Sequence, residues 1–148
     1  MKTKYKIGDV LAIRDMSGNV LASDITSIAI EKGNVLCDVI YTLSNKQEVH
    51  EASELYEDYD IRIIKKVASL NQNDIKDNQG VITKYDIGDI LQMMNYYDET
   101  CAADITMIDI DKEGICYHLS NGDEVDEIPV DNNYIRIVGK IGTLNMET

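Results

Sequence analysis

Apolar and polar residues alternate with a period of two along most of this chain, as strands with one buried face require. "VLAIR" (10–14) sets Leu11 and Ile13 on one face and Val10, Ala12 and Arg14 on the other. "DVIYTL" (38–43) is β-branched and aromatic, the composition strands favour. "DIRII" (60–64) places Ile61 and Ile63 against Asp60, Arg62 and Ile64. In "ITSIAI" (25–30) Ile25 and Ile28 fall out of phase while Ile28 and Ile30 agree. A β-bulge or sharp bend near Ser27 reconciles them, and small barrels need such a bend to close. Gly8-Asp9, Ser17-Gly18-Asn19, Lys32-Gly33-Asn34, Ser44-Asn45 and Asn121-Gly122 punctuate the runs as turns. "EASELYED" (51–58) predicts one helical turn before a last strand. Its counterpart "EIPVDNN" (127–133) holds the only proline, which excludes a long helix there.

The pattern occurs twice. Residues 4–30 align with 84–110, 41–51 with 117–127 and 61–71 with 135–145, and 25 of the 49 aligned positions are identical. The offset shrinks from 80 to 76 to 74, so the second repeat has lost residues only where turns are expected. The polar segment 71–83 reads as a linker that reaches roughly 40 Å when extended. Two repeats are too few for a solenoid, so each is expected to form its own domain, over 1–70 and 84–148. The fold expected is all-β: two tandem small SH3-like or Tudor-like β-barrels, each of five short strands, joined by a short polar linker. Barrels this small bury only about 60% of their unfolded surface, so the halves are expected to pack together or to pair between chains as a homo-dimer.

On "KYKIGDVL" (4–11), "ADIT" (103–106) and "YHLSNGDEVDE" (117–127) the chain resembles small proteins of phages and mobile elements in AT-rich Gram-positive bacteria. That resemblance implies tandem SH3-like domains and brings no catalytic activity with it.

Charge narrows the choice of partners. The formal net charge is -13, which opposes direct binding to nucleic acid or to anionic membranes and favours a basic protein surface. The core must be aliphatic, because the only aromatic side chains besides histidine are nine Tyr, whose hydroxyls are expected near water. No apolar run is long enough to span a bilayer, and "MKTKYKIGDV" is no secretory signal. With three Cys suited to reduced thiols, a cytoplasmic location is expected.

Chemistry is thinly supplied. Asp109, Asp111, Glu113 and Gly114 match positions 1, 3, 5 and 6 of a calcium-hand loop, but Ser120 stands where the bidentate Glu is needed. A hairpin turn with solvated acids is expected instead. Cys37, Cys101, Cys116, His50 and His118 show no zinc spacing. Cys101 aligns with Leu21 and is expected to fill the core, whereas His118 aligns with Thr42 and is expected on a strand surface. No nucleophile, phosphate loop, metal or cofactor site is discernible, so a non-enzymatic role is expected. Gly8, Asp9, Asp24 and Thr26 recur as Gly88, Asp89, Asp104 and Thr106, and turn formation accounts for them.

The repeats differ most in charge. Residues 4–71 carry eight Lys/Arg and eleven Asp/Glu, a net of -3, while 84–145 carry four and thirteen, a net of -9. The second repeat's acids concentrate in "DIDKE" (Asp109, Asp111, Glu113) and "DEVDE" (Asp123, Glu124, Asp126, Glu127), beside "QMMNYYDE" (92–99) with Tyr96 and Tyr97. Met93 is expected to point inward. These nine acids and tyrosines are the candidate partner-binding residues, an acidic rim beside aromatic anchors. The function expected is that of an acidic protein-binding protein. One such role is a phage-encoded inhibitor of a bacterial defence system that mimics DNA on a nucleic-acid-binding host protein. The alternative is a virion or scaffold component that assembles into an oligomer.

Overall fold

The computed structural model describes residues 2–33, 37–56, 58–70, 80–128 and 135–144. These residues form ten antiparallel strands, and the protein is all-β. No α-helix occurs among them, and none is long and apolar enough to cross a membrane. In the first repeat the strands are β1 (Asp9–Arg14), β2 (Val20–Lys32), β3 (Cys37–Leu43), β4 (Glu48–His50) and β5 (Arg62–Ser69). In the second they are β6 (Asp89–Asn95), β7 (Thr100–Asp111), β8 (Gly114–Leu119), β9 (Glu124–Asp126) and β10 (Ile135–Thr143). Both repeats share one order: the last strand pairs with the first, followed by the second, third and fourth.

By contacts the chain divides into two compact units, Lys2–Ala29 with Asp38–Ile82, and Ile30–Cys37 with Thr83–Thr148. The segment Ile30–Cys37, first-repeat by sequence, therefore groups with the second-repeat residues. Of the expected linker, 71–79 lies outside the described residues. Its end is tied within the first unit: the Thr3 N–H donates to Val81 O (2.9 Å), and the Val81 N–H donates to Thr3 Oγ1 (2.8 Å). In "EIPVDNN", residues 129–133 also lie outside the described residues.

Near Ser27, where a bend is expected, burial in β2 changes phase from Ser23 and Ile25 to Ile28 and Ile30, and the equivalent stretch of β7 carries a bulge. Pairing with β8 shifts register between Ile105 and Met107, and burial changes phase there, from Ala103 and Ile105 to Ile108 and Ile110. The helical turn before the first repeat's last strand is a 3-10 turn at Glu51–Glu54. The core is largely aliphatic, with Leu11, Ile13, Ile25, Ile28 and Ile30 buried in the first repeat and Leu91, Met93, Ile105, Ile108 and Ile110 in the second, but each repeat also buries two Tyr, Tyr5 with Tyr41 and Tyr85 with Tyr117.

The repeated polar residues hold the last strand and the entry loop. Gly8 and Gly88 have φ of 90° and 91°, a left-handed conformation that glycine adopts without steric cost. The buried Asp9 next to it accepts the Lys6 N–H (3.0 Å) and pairs with Lys66 of β5 (3.2 Å). Asp89 does the same with the Asp86 N–H (2.8 Å) and Lys140 of β10 (3.1 Å), and also accepts the Thr143 hydroxyl (2.9 Å).

One expectation about tyrosine fails. Tyr41 and Tyr117 are fully buried, hydroxyls included, and each rests edge-on against a second ring, Tyr5 or Tyr85, with centroids 5.6 Å apart. Their hydroxyls donate to Glu51 and Glu127, and each oxygen accepts a backbone N–H, from Tyr5 at 3.1 Å and Tyr85 at 3.2 Å. A carboxylate acceptor makes a buried phenol affordable.

Candidate acidic binding face

The acids of the second repeat are gathered by strand alternation. After the bulge, β7 turns Ile108 and Ile110 inward and leaves Met107, Asp109 and Asp111 outward. In β8, Tyr117 and Leu119 point inward, with Cys116 and His118 outward; β9 buries Val125 between Glu124 and Asp126. Register then sets the rows: Asp109 lies opposite Cys116, and Cys116 opposite Asp126; Met107 lies opposite His118, and His118 opposite Glu124. A central Cys–His strand is thus bordered by carboxylates on both sides.

Contacts follow from these rows. His118 Nε2 lies 2.5 Å from Asp109 Oδ2, and its Nδ1 lies 3.3 Å from Glu124 Oε1. Burial first, and then the charges of Asp126, Glu124, Asp109 and Asp111, push the Cys116 thiol up to about 11. Beside it lies a cavity of about 300 Å³, lined by Asp109, Asp111, Glu113, Cys116, Asp126 and Glu127 with Ile115 and Ile128. The equivalent positions of the first repeat are Ala29, Glu31, Ile40, Thr42, Glu48 and His50, so the first repeat keeps the acids at Asp111 and Glu124 and lacks those at Asp109 and Asp126.

Five of the candidate acids therefore line one cavity, and Glu124 stands in the adjoining row. Asp123 does not join them: it lies in the turn between β8 and β9, where its N–H donates to Asn121 Oδ1 (2.9 Å). Glu127 is committed to the fold, since it accepts the Tyr117 hydroxyl and the Lys84 N–H (3.0 Å), as Glu51 does for Tyr41 and the Lys4 N–H (3.1 Å). Tyr96 and Tyr97 are 73% and 77% exposed and meet edge to face at 5.7 Å. They precede β7, whereas the cavity lies at its far end, so aromatic anchors and acidic rim do not adjoin as expected. Met93 is fully buried, as expected.

Two further placements bear on chemistry. Cys101 is exposed rather than core-filling, because it lies at the hairpin end of β7, and Leu21 at the matching place is only half-buried. Asp109–Gly114 forms the β7–β8 hairpin, its turn held by the Glu113 N–H on Asp111 Oδ1 (2.8 Å), and not a calcium loop. Among the described residues no three His, Cys, Asp or Glu are arranged to hold a metal ion. Sequence reasoning missed His118 as part of the face, although its outward phase in β8 with Cys116 is legible once Tyr117 and Leu119 are assigned to the core. The chain matches no family model, no curated protein and no solved structure.

Proposed function

We propose that this protein is a non-enzymatic binding protein whose second repeat engages a basic protein surface through the outer face of β7, β8 and β9. The observation that carries this reading is the enclosure of Cys116 and His118 by Asp109, Asp111, Glu124 and Asp126, of which the first repeat keeps two, as Glu31 and Glu48. Charges of one sign over a shared, partly desolvated face steer a complementary partner more strongly than the same charges spread out. The partner class that fits is a Lys/Arg-rich surface such as a host protein presents to nucleic acid, and inhibition of a bacterial defence protein in the cytoplasm is the corresponding biological role.

The scaffold reading that goes with it is a pair of SH3-like barrels. Its support is the shared strand order in both repeats, the 3-10 turn before β5, and the lateral approach of β4 to β5 and of β9 to β10 beyond the hydrogen-bonded pairs. The alternative role, an assembly component, draws on other residues, the exposed apolar side chains of β5 and β10.

Titration of the intact protein with an oligolysine peptide at low salt, followed by backbone amide shifts, tests the binding reading. Shifts confined to β7–β9 are expected. Equal shifts over both repeats would overturn it.

A further inference from the structure

Arginine is scarce in this chain, and two of its three copies meet at one place. Arg14 ends β1, Arg62 opens β5, and strand pairing sets them directly opposite each other. Like charges so placed oppose the pairing unless an anion lies between them. Among the described residues neither guanidinium is paired with a carboxylate, although 27 Asp and Glu face only 14 Lys and Arg in the chain. A cavity of about 260 Å³ opens beside them, lined by Arg14, Glu54, Arg62, Ile63 and Ile64. All five belong to the unit of Lys2–Ala29 and Asp38–Ile82. The one carboxylate in the lining is already taken, since Glu54 accepts the Tyr5 hydroxyl (2.8 Å) and pairs with Lys4. The Arg62 Nε–H donates to Ser53 O (3.2 Å), which fixes the plane of the guanidinium and leaves its terminal nitrogens for a ligand. Ile64 joins the wall because β5 bulges there: Ile63 and Lys65 have residues opposite in β1, and Ile64 has none. β10 bulges at Val138 in the same way, but its Arg136 lies opposite Met94 and donates to Met94 Sδ (3.3 Å). The arginine pair is thus a feature of the first repeat alone.

We propose that Arg14 and Arg62 form a binding site for a phosphate group, carried as the free ion or as a small monoester. Each guanidinium presents a planar fork that matches two oxygens of an oxyanion. A carboxylate offers one such edge and one charge, which a single arginine satisfies. A phosphate offers several edges and close to two negative charges, so it accepts both forks at once and removes the repulsion between them. The overall field of a chain with net charge -13 repels anions, so the site rests on these local forks and not on long-range attraction. Its cavity approaches the size of small-ligand sites, and Ile64 supplies an apolar wall for a short organic group.

Titration of the full chain with inorganic phosphate and with glycerol phosphate, at fixed pH and ionic strength and followed by backbone amide shifts, tests this. Saturable shifts at Arg14, at Glu54 and over Arg62–Ile64 are expected with both probes, and the tighter of the two identifies the free ion or the ester as the ligand. Acetate at the same ionic strength is expected to give none. Arg14→Lys and Arg62→Lys keep the charge but lose the fork, and each is expected to weaken binding about tenfold. Arg14→Met restores the Arg–Met pairing with which the second repeat folds, and is expected to abolish binding, whereas Arg136→Met leaves it unchanged. Absence of saturable shifts with both probes, equal shifts with acetate, or full affinity in Arg14→Met overturns the proposal.

Discussion

Cys116 reports on the charges around it. Raised to about 11 by burial and by four carboxylates, it carries about a hundredfold less thiolate at pH 8 than an ordinary thiol. Alkylation followed by mass spectrometry is therefore expected to modify the exposed Cys101 first and Cys116 about a hundredfold more slowly than a free thiol. Replacing Asp109, Asp111, Glu124 and Asp126 by their amides is expected to speed Cys116 roughly tenfold, with burial holding back the rest. Asp89 is the second informative residue. Burial works to raise its carboxyl, but the Asp86 N–H, the Thr143 hydroxyl and Lys140 outweigh burial and hold it below the usual carboxylate range. Its stabilisation is thus present in full above about pH 3.9 and is lost as pH falls through the lower folded value. Asp89→Asn is expected to cost about 1–3 kcal/mol at neutral pH and to flatten that acid limb in chemical denaturation. At this scale the sequence was legible where residue type dictates geometry, as at Gly8, Asp9 and Met93. It misled where depth depends on neighbours: Cys101 inherits its place from Leu21 but sits at a hairpin end that the core does not reach. Glu127 reads as one more surface acid until the buried Tyr117 hydroxyl that needs it is located.

The elements were the most legible part of the chain. Phase in "ITSIAI" and its counterpart fixes a bulge because an odd spacing cannot keep two isoleucines on one face, and pairing of β7 with β8 places it between Ile105 and Met107. The bulges of the last strands left no such mark, since "IIKKVAS" and "IVGKIGT" mix exposed and buried apolar residues without a clean phase. The turns preserve a difference between the repeats. Gly122 follows Asn121 at φ 90°, while the first repeat asks Lys46 to adopt φ 71° at the same place. A side chain there is strained by roughly 1 kcal/mol, part of which glycine returns through its freer unfolded chain. Lys46→Gly is therefore expected to stabilise the protein by about 0.5 kcal/mol, measured as a higher urea midpoint with unchanged slope. A lower midpoint contradicts this account of the turn.

Across the whole molecule, the two halves share one strand order and differ in charge. The net of -9 in the second repeat was plain from composition, but its concentration on one face was not, because sides of a strand depend on a phase that the bulge resets. The expected union of Tyr96 and Tyr97 with the acids failed for a related reason: residues close in sequence order sit at opposite ends of a twelve-residue strand. The central claim is that placement of charge, and not its total, governs binding. Affinity for an oligolysine peptide over a salt series tests this with two charge-matched variants. One has Asp109, Asp111, Glu124 and Asp126 replaced by amides; the other has the exposed Glu48, Asp58, Asp60 and Glu99 so replaced. Loss of affinity and a shallower salt slope in the first variant only is the predicted result, and equal losses in both contradict it.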